Sequence, residues 1–144
     1  MVDRFYFKGK MKHTIFFIAS LLMICSCDNH DFELNEKKQE FYINNLLYFS
    51  IEPLDTLHGG YSYAFSKKNY QHSGIDTLPL KKSISREIHG IKYASRTKEF
   101  IWDPSYIRLK PNTRYLVKHL GMGARVDIRK YYYTDSLGNM HLQE

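Results

Sequence analysis

The stretch Leu109-Lys110-Pro111-Asn112-Thr113-Arg114-Tyr115-Leu116-Val117-Lys118-His119-Leu120 decides the reading of this chain. From Tyr115 onward its period is two. Tyr115, Val117 and His119 fall on one face, and Leu116, Lys118 and Leu120 on the other, which is the pattern of a half-buried strand. Pro111 fixes φ in the turn before it, and Thr113 suits the start of a strand. Gly121-Met122-Gly123 reads as a turn. Arg125 to Thr134 is then a long strand with Val126 and Ile128 on one side and Tyr131 and Tyr133 on the other. Asp135 to Asn139 reads as a turn, and Met140-His141-Leu142 as a short edge strand.

The same period recurs upstream. Tyr42 to Glu52, with Leu46, Leu47, Tyr48, Phe49 and Ile51, is expected to be the first strand, stopped by Pro53. Gly59-Gly60 is a turn. Tyr61, Tyr63 and Phe65 alternate with Ser62, Ala64 and Ser66 in a two-faced strand. Asn69 to Thr77, with Gly74, reads as a loop. In Ile84 to Ala94, Ile84, Ile88 and Ile91 fit helical spacing, but Gly90 and the β-branched residues favour a strand. Phe100-Ile101-Trp102, before Asp103-Pro104, is another short strand. Seven or so strands separated by turn signals predict an all-β antiparallel sandwich. The length of 144 residues suits one domain, and twelve Tyr and nine Phe against four Pro and eight Gly suit strands.

The segment Leu109 to Val117 resembles the Leu-x-Pro-x-Thr-x-Tyr-x-Val signature of fibronectin type III domains. In that family it spans the crossing from strand E to strand F. The resemblance implies that Leu109, Pro111, Thr113 and Tyr115 build a structural corner: Tyr115 opens strand F, and its hydroxyl bonds to backbone a few residues upstream. Gly60 to Ser66 is similar to the strand C segment of the version common in Bacteroides-group envelope proteins, and Tyr133 to Gly138 to their closing strand and turn. The chain departs from the family in three ways. No tryptophan sits where strand B normally carries one, residues 67–99 align poorly, and the segment beyond Gly138 is extra. The expected fold is therefore an Ig/fibronectin type III-like β-sandwich after an N-terminal signal peptide and a short linker.

The front of the chain reads as an address. Lys8, Lys10 and Lys12 precede an apolar run from Thr14 to Ile24, and Ser26 precedes Cys27. A basic region, a short apolar region and a small residue before a cut describe a secretory signal. The run has 11 residues, short of the roughly 20 that span a bilayer. Met11 would itself start a compact signal, so residues 1–10 are expected to be an over-called start. Ile24-Cys25-Ser26-Cys27 resembles the lipobox of bacterial lipoproteins. Ile24 and Ser26 satisfy the pattern for Cys27, whereas Ile24 would be too bulky at the cut before Cys25. The resemblance implies a lipid on the Cys27 sulfur, a mature chain beginning there, and no remaining thiol. The expected division is a signal peptide at 1–26, the lipidated cysteine with a flexible acidic linker at 27–41, and the sandwich at 42–144. Acidic residues just after the cysteine also resemble the export signal of Bacteroides-group surface lipoproteins.

Charge is uneven. The whole chain carries +6, residues 28–55 hold seven acids and two lysines, and residues 60–130 hold fifteen basic residues and five acids. A basic face attracts anionic partners. Nucleic acid is set aside, because an envelope lipoprotein rarely meets it, and the lysines also keep strand edges soluble. Of seven histidines, His13 lies in the signal and His30 in the linker. His58, His72, His89, His119 and His141 are scattered without a metal-ligand spacing. No nucleophile elbow or phosphate-binding glycine loop occurs. The expectation is a non-enzymatic protein without metal or cofactor. Tyr132, which alternation sets opposite Tyr131 and Tyr133, joins Lys118 and Arg129 as the candidate contact surface; strand propensity alone is the alternative account of the tyrosines.

The function expected from these features is that of an outer-membrane lipoprotein of the cell envelope. It is held to the membrane by its lipid and uses the sandwich to bind or scaffold, with an envelope glycan or protein as ligand. The alternative is an envelope immunity or inhibitor lipoprotein that neutralises a toxin or enzyme.

Overall fold

The computed structural model describes residues 30–55, 60–69, 74–94, 96–121 and 127–144. The signal, the lipobox residues Ile24, Cys25 and Ser26, Cys27, His58, His72 and most of the turn at 121–123 lie outside the described residues. The described residues form ten strands and no helix. They are β1 (Phe32–Asn35), β2 (Glu40–Asn44), β3 (Tyr48–Pro53), β4 (Ser62–Lys67), β5 (Ile75–Pro79), β6 (Ile88–Ala94), β7 (Glu99–Trp102), β8 (Arg114–Leu120), β9 (Asp127–Thr134) and β10 (Met140–Leu142). Two antiparallel sheets result, one ordered β1-β2-β5 and the other β10-β9-β8-β3-β4-β6-β7.

The sheets meet through aromatic rings. Phe32 of β1 packs edge-on to Phe49 of β3 at 5.1 Å between centroids, and Phe41 of β2 packs edge-on to Tyr132 of β9 at 5.3 Å. All four rings are buried. Each such burial contributes about 2–3 kcal/mol, and edge-to-face pairs add to that. The small sheet covers β3, β8 and β9. Beneath β4 and β6 the core is completed by two long connections, which bring in Leu80 and Ile107 and are joined where Ile84 N–H donates to Ser105 O at 2.9 Å.

Four expectations are corrected here. The linker does not extend to residue 41. Phe32-Glu33-Leu34-Asn35 and Glu40-Phe41-Tyr42-Ile43 are acidic but alternate, so Phe32, Phe41 and Ile43 reach the core while the acids face outward. Tyr42 to Glu52 is not one strand: it breaks at Asn45, whose φ of 52° is left-handed, and its halves join opposite sheets. Ile75 to Thr77 is not loop, because β5 pairs with β2 and buries Leu78. Pro79 is tolerated because β5 is an edge strand. The strand expected from Ile84 begins only at Ile88, after a turn closed by Ile88 N–H to Ser85 O at 3.1 Å.

The corner segment is held by side chains from three strands of the larger sheet, β4, β8 and β9. Tyr115 is fully buried and its hydroxyl accepts the Lys110 N–H at 2.8 Å. Tyr63 of β4, also buried, accepts the Arg108 N–H at 2.9 Å and donates to Arg108 O at 3.3 Å. Thr134 Oγ1 donates to Lys110 O at 2.6 Å and accepts the Thr113 N–H at 3.0 Å. Leu109 is half-buried against the core, Pro111 is exposed, and Thr113 Oγ1 donates to Pro111 O at 3.0 Å. The connection arrives from the β6–β7 hairpin of the larger sheet rather than directly from β5, so the stretch before Tyr115 leaves and rejoins the same sheet.

Candidate functional site

Alternation along β3, β4 and β6 sends Phe49, Phe65 and Ile88 inward. It leaves Tyr48, Ala64, Ser66, His89 and Ile91 on the outer face of the larger sheet. Register brings them together: Ser66 lies opposite His89, Ala64 opposite Ile91, and Ile91 opposite Trp102 of β7. The small side chains of Ala64 and Ser66 leave a floor between two aromatic rims. Tyr48 is 42% exposed and Trp102, the chain's one tryptophan, is 72% exposed. The result is a cleft of about 560 Å³.

Gly90 in the middle of β6 makes this arrangement possible. A Cβ there would come within 2.9 Å of the Phe65 ring and 3.2 Å of Pro104 Cδ. Phe65 therefore lies directly against the β6 backbone, in space that any other residue would occupy.

One end of the cleft is polar. Asp103 adopts a left-handed φ of 46° just after β7, and its N–H donates to Gly90 O at 2.7 Å. Its Oδ1 accepts the Gly90 N–H at 3.0 Å and lies 3.2 Å from His89 Nδ1. The Gly90 amide and then His89 hold the Asp103 carboxyl below the usual carboxylate range. The cleft thus offers apolar and aromatic contact along its length, with hydroxyl, imidazole and carboxylate groups at the His89 end. That chemistry suits a ring with an apolar face and polar edges.

The expected contact surface is only partly on this face. Tyr132 is corrected: it is 1% exposed and packs in the core, and burial raises its phenol pKa. The phase of β9 turns Tyr131 and Tyr133 outward instead. Lys118 and Arg129 are register partners on the outer face, away from the cleft. Lys118 pairs with Glu52 at 2.7 Å, and Arg129 Nε donates to Asp127 Oδ1 at 2.9 Å. Sequence reading did not single out Tyr48, Trp102, His89 or Asp103 as one site. Only the Ile91 to Trp102 register could have joined β6 to β7, and the sequence does not print that register.

His119 and His141, unlike His89, serve the scaffold. His119 is fully buried, and its Nδ1 donates to His30 O at 2.5 Å. Burial pushes its pKa below the ordinary histidine value. His141 sits between Glu36 at 2.9 Å and Asp135 at 3.3 Å, which raises its pKa. Among the described residues no group of three or more His, Cys, Asp or Glu is arranged to hold a metal ion. Comparison with protein-family models, curated proteins and solved structures finds no match for this chain.

Proposed function

We propose that this is a lipid-anchored cell-envelope protein whose sandwich binds a glycan, without catalysis, in the cleft between Tyr48 and Trp102. The observation that carries the ligand reading is the cleft itself: two exposed aromatic rims, a floor of Ala64 and Ser66, and the His89–Asp103 pair at one end. A sugar ring stacks its C–H face on an aromatic plane while its hydroxyls bond to polar groups at the edge. The anchoring reading is supported by Ile24-Cys25-Ser26-Cys27 behind a basic, apolar leader. Support for the fibronectin type III-like reading comes from the Tyr115 to Lys110 bond and from the strand order. Numbering β1, β2, β3, β5, β8 and β9 as A, B, C, E, F and G puts A, B and E in one sheet and C, F and G in the other.

Two measurements test this. Radioactive palmitate should label the wild-type chain and not Cys27→Ala; label retained by the variant overturns the anchor. A glycan array should give binding that Trp102→Ala and Ser66→Trp each weaken at least tenfold while the fold is kept. Binding that survives both variants removes the cleft from the reading.

A second reading, the immunity or inhibitor protein, is favoured by β7. This edge strand has all four residues exposed, among them Phe100 at 60%. Open edges accept a strand from a partner protein. One stoichiometric protein captured from membranes, lost on Ile101→Pro, would favour it.

A further inference from the structure

The chain is docked onto the body almost as soon as it leaves Cys27. Asp31 Oδ1 accepts hydrogen bonds from Lys130 Nζ at 2.8 Å and from the Phe32 N–H at 2.7 Å. Asp31 O accepts the Asn44 N–H at 3.0 Å, and His30 O accepts from buried His119. Phe32 is 1% exposed in the core. Only Asp28 and Asn29 separate Cys27 from these docked residues. Three residues of fully extended chain reach ~10 Å at most.

The chain enters at one pole of the sandwich. There β1 begins, β2 ends, β3 and β5 begin, and β8 ends, as the pairs Phe32 to Ile43, Asn44 to Ile75 and Tyr48 to Leu120 require. Ile75, 70% exposed, lines one shallow concavity with Asp31, Phe32 and Asn44 beside the entering chain. Three acids at this pole carry cationic partners, Asp31 with Lys130, Asp76 with Lys67 at 2.8 Å, and Asp127 with Arg129, whereas Glu33, on the wall of the same concavity, forms no ion pair among the described residues. Like-charge repulsion from an anionic leaflet is therefore reduced here to the charge of Glu33.

We infer that the sandwich rests with this pole on the phospholipid surface, Ile75 meeting the headgroup layer, instead of swinging on a leash. The inference depends on the acylated Cys27 of the preceding reading. A flexible linker through residue 41 would spread over ~20 Å and let the body tumble. A reach of ~10 Å exceeds the ~5–8 Å depth of one interfacial layer by only a few ångströms, so the pole stays against the headgroups. Tyr133, on the same body, lies five residues along β9 from Ile128, which pairs with His119. That sets it ~16 Å further from the bilayer.

The test uses the full acylated protein in phosphatidylcholine/phosphatidylglycerol vesicles carrying a headgroup nitroxide. Acylation of Cys27 leaves the mature chain without a thiol, so Ile75→Cys and Tyr133→Cys each take a fluorescent dye at one site. The dye at 75 should be quenched at least threefold more than the dye at 133. Equal, weak quenching at both sites in protein that floats with the vesicles overturns the resting pose and leaves the anchor intact. Failure of the unlabelled wild-type protein to float overturns the anchor, and the pose with it. Stronger quenching at 133 than at 75 reverses the orientation and also refutes the inference.

Discussion

Removing the hydroxyls of Tyr63 and Tyr115 tests how the Arg108–Lys110 segment is held. Tyr115→Phe deletes one hydrogen bond to a backbone amide at 2.8 Å beneath a fully buried ring. Such a loss costs about 1 kcal/mol. Tyr63→Phe deletes an accepted and a donated bond, both to Arg108, and should cost about 1.5 kcal/mol. Urea slopes for small proteins run at roughly 1–3 kcal/mol per molar, so each variant should lower the urea midpoint by ~0.3–1.5 M. The assay is equilibrium unfolding of the Cys27→Ala chain followed by far-ultraviolet circular dichroism. Because both hydroxyls hold one segment, the double variant should lose less than the sum, by about 0.5 kcal/mol or more. Midpoints unchanged in both single variants would refute the clamp, and strictly additive losses would refute the shared segment. The phenols give a second readout. Burial pushes the Tyr63 pKa up from 10.0 to about 12. The folded chain therefore keeps that proton longer than the unfolded chain. Its contribution is fully present below pH 10.0 and disappears as pH rises toward 12, and Tyr63→Phe should blunt that alkaline loss.

Three further predictions concern Gly90, His119 and His141. Gly90→Ala should cost about 1–3 kcal/mol by driving a methyl against the Phe65 ring, and Phe65→Leu in the same chain should recover part of that; an unchanged thermal midpoint would mean that the strands separate freely. Burial depresses the folded pKa of His119, so its contribution is present above pH 6.5 and is lost as pH falls below it, when the unfolded chain takes up a proton first. Stability of His119→Phe should therefore depend less on pH below 6.5 than that of the wild type. His141 works in the opposite sense, since its raised pKa adds stability below 6.5 that disappears as pH rises through the folded value, so His141→Gln should steepen the acid loss.

The two-sheet architecture was legible because its strands alternate, and alternation is a local property. Tyr63 and Phe65, and Tyr115, Val117 and His119, face the core as their spacing requires. The first strands were harder to read. Phe32-Glu33-Leu34-Asn35 carries the same alternation, but over four residues it is shorter than the acidic run around it, and composition outweighed period. The break at Asn45 was hidden by apolar residues on both sides of it. Only the left-handed backbone, braced by Asn45 Oδ1 accepting the Gly74 N–H at 3.1 Å, turns the chain into the other sheet.

The site was less legible than the fold, because a face is defined by register between strands distant in sequence. Tyr132 shows how the phase of one strand decides a role: with period two known, the inward set still had to be chosen, and Tyr132 with Thr134 took it. Trp102 was visible as an aromatic in a short strand. Its partnership with Tyr48 depends on Ala64 and Ser66 lying between them, and no local pattern reports that gap.

Gln39 has a consequence for how the molecule is made. Its backbone is left-handed, and its side-chain amide is buried at the end of the first hairpin. The amide nitrogen donates to Met140 O at 3.0 Å, and the amide oxygen accepts the Met140 N–H at 2.7 Å. The earliest turn of the body is therefore latched by a strand 101 positions later in the chain. Until that strand docks, the latch stays open and the amide keeps water as its partner. Closure of the opening hairpin therefore waits on the arrival of β10, and the two ends of the described body are completed in a single event.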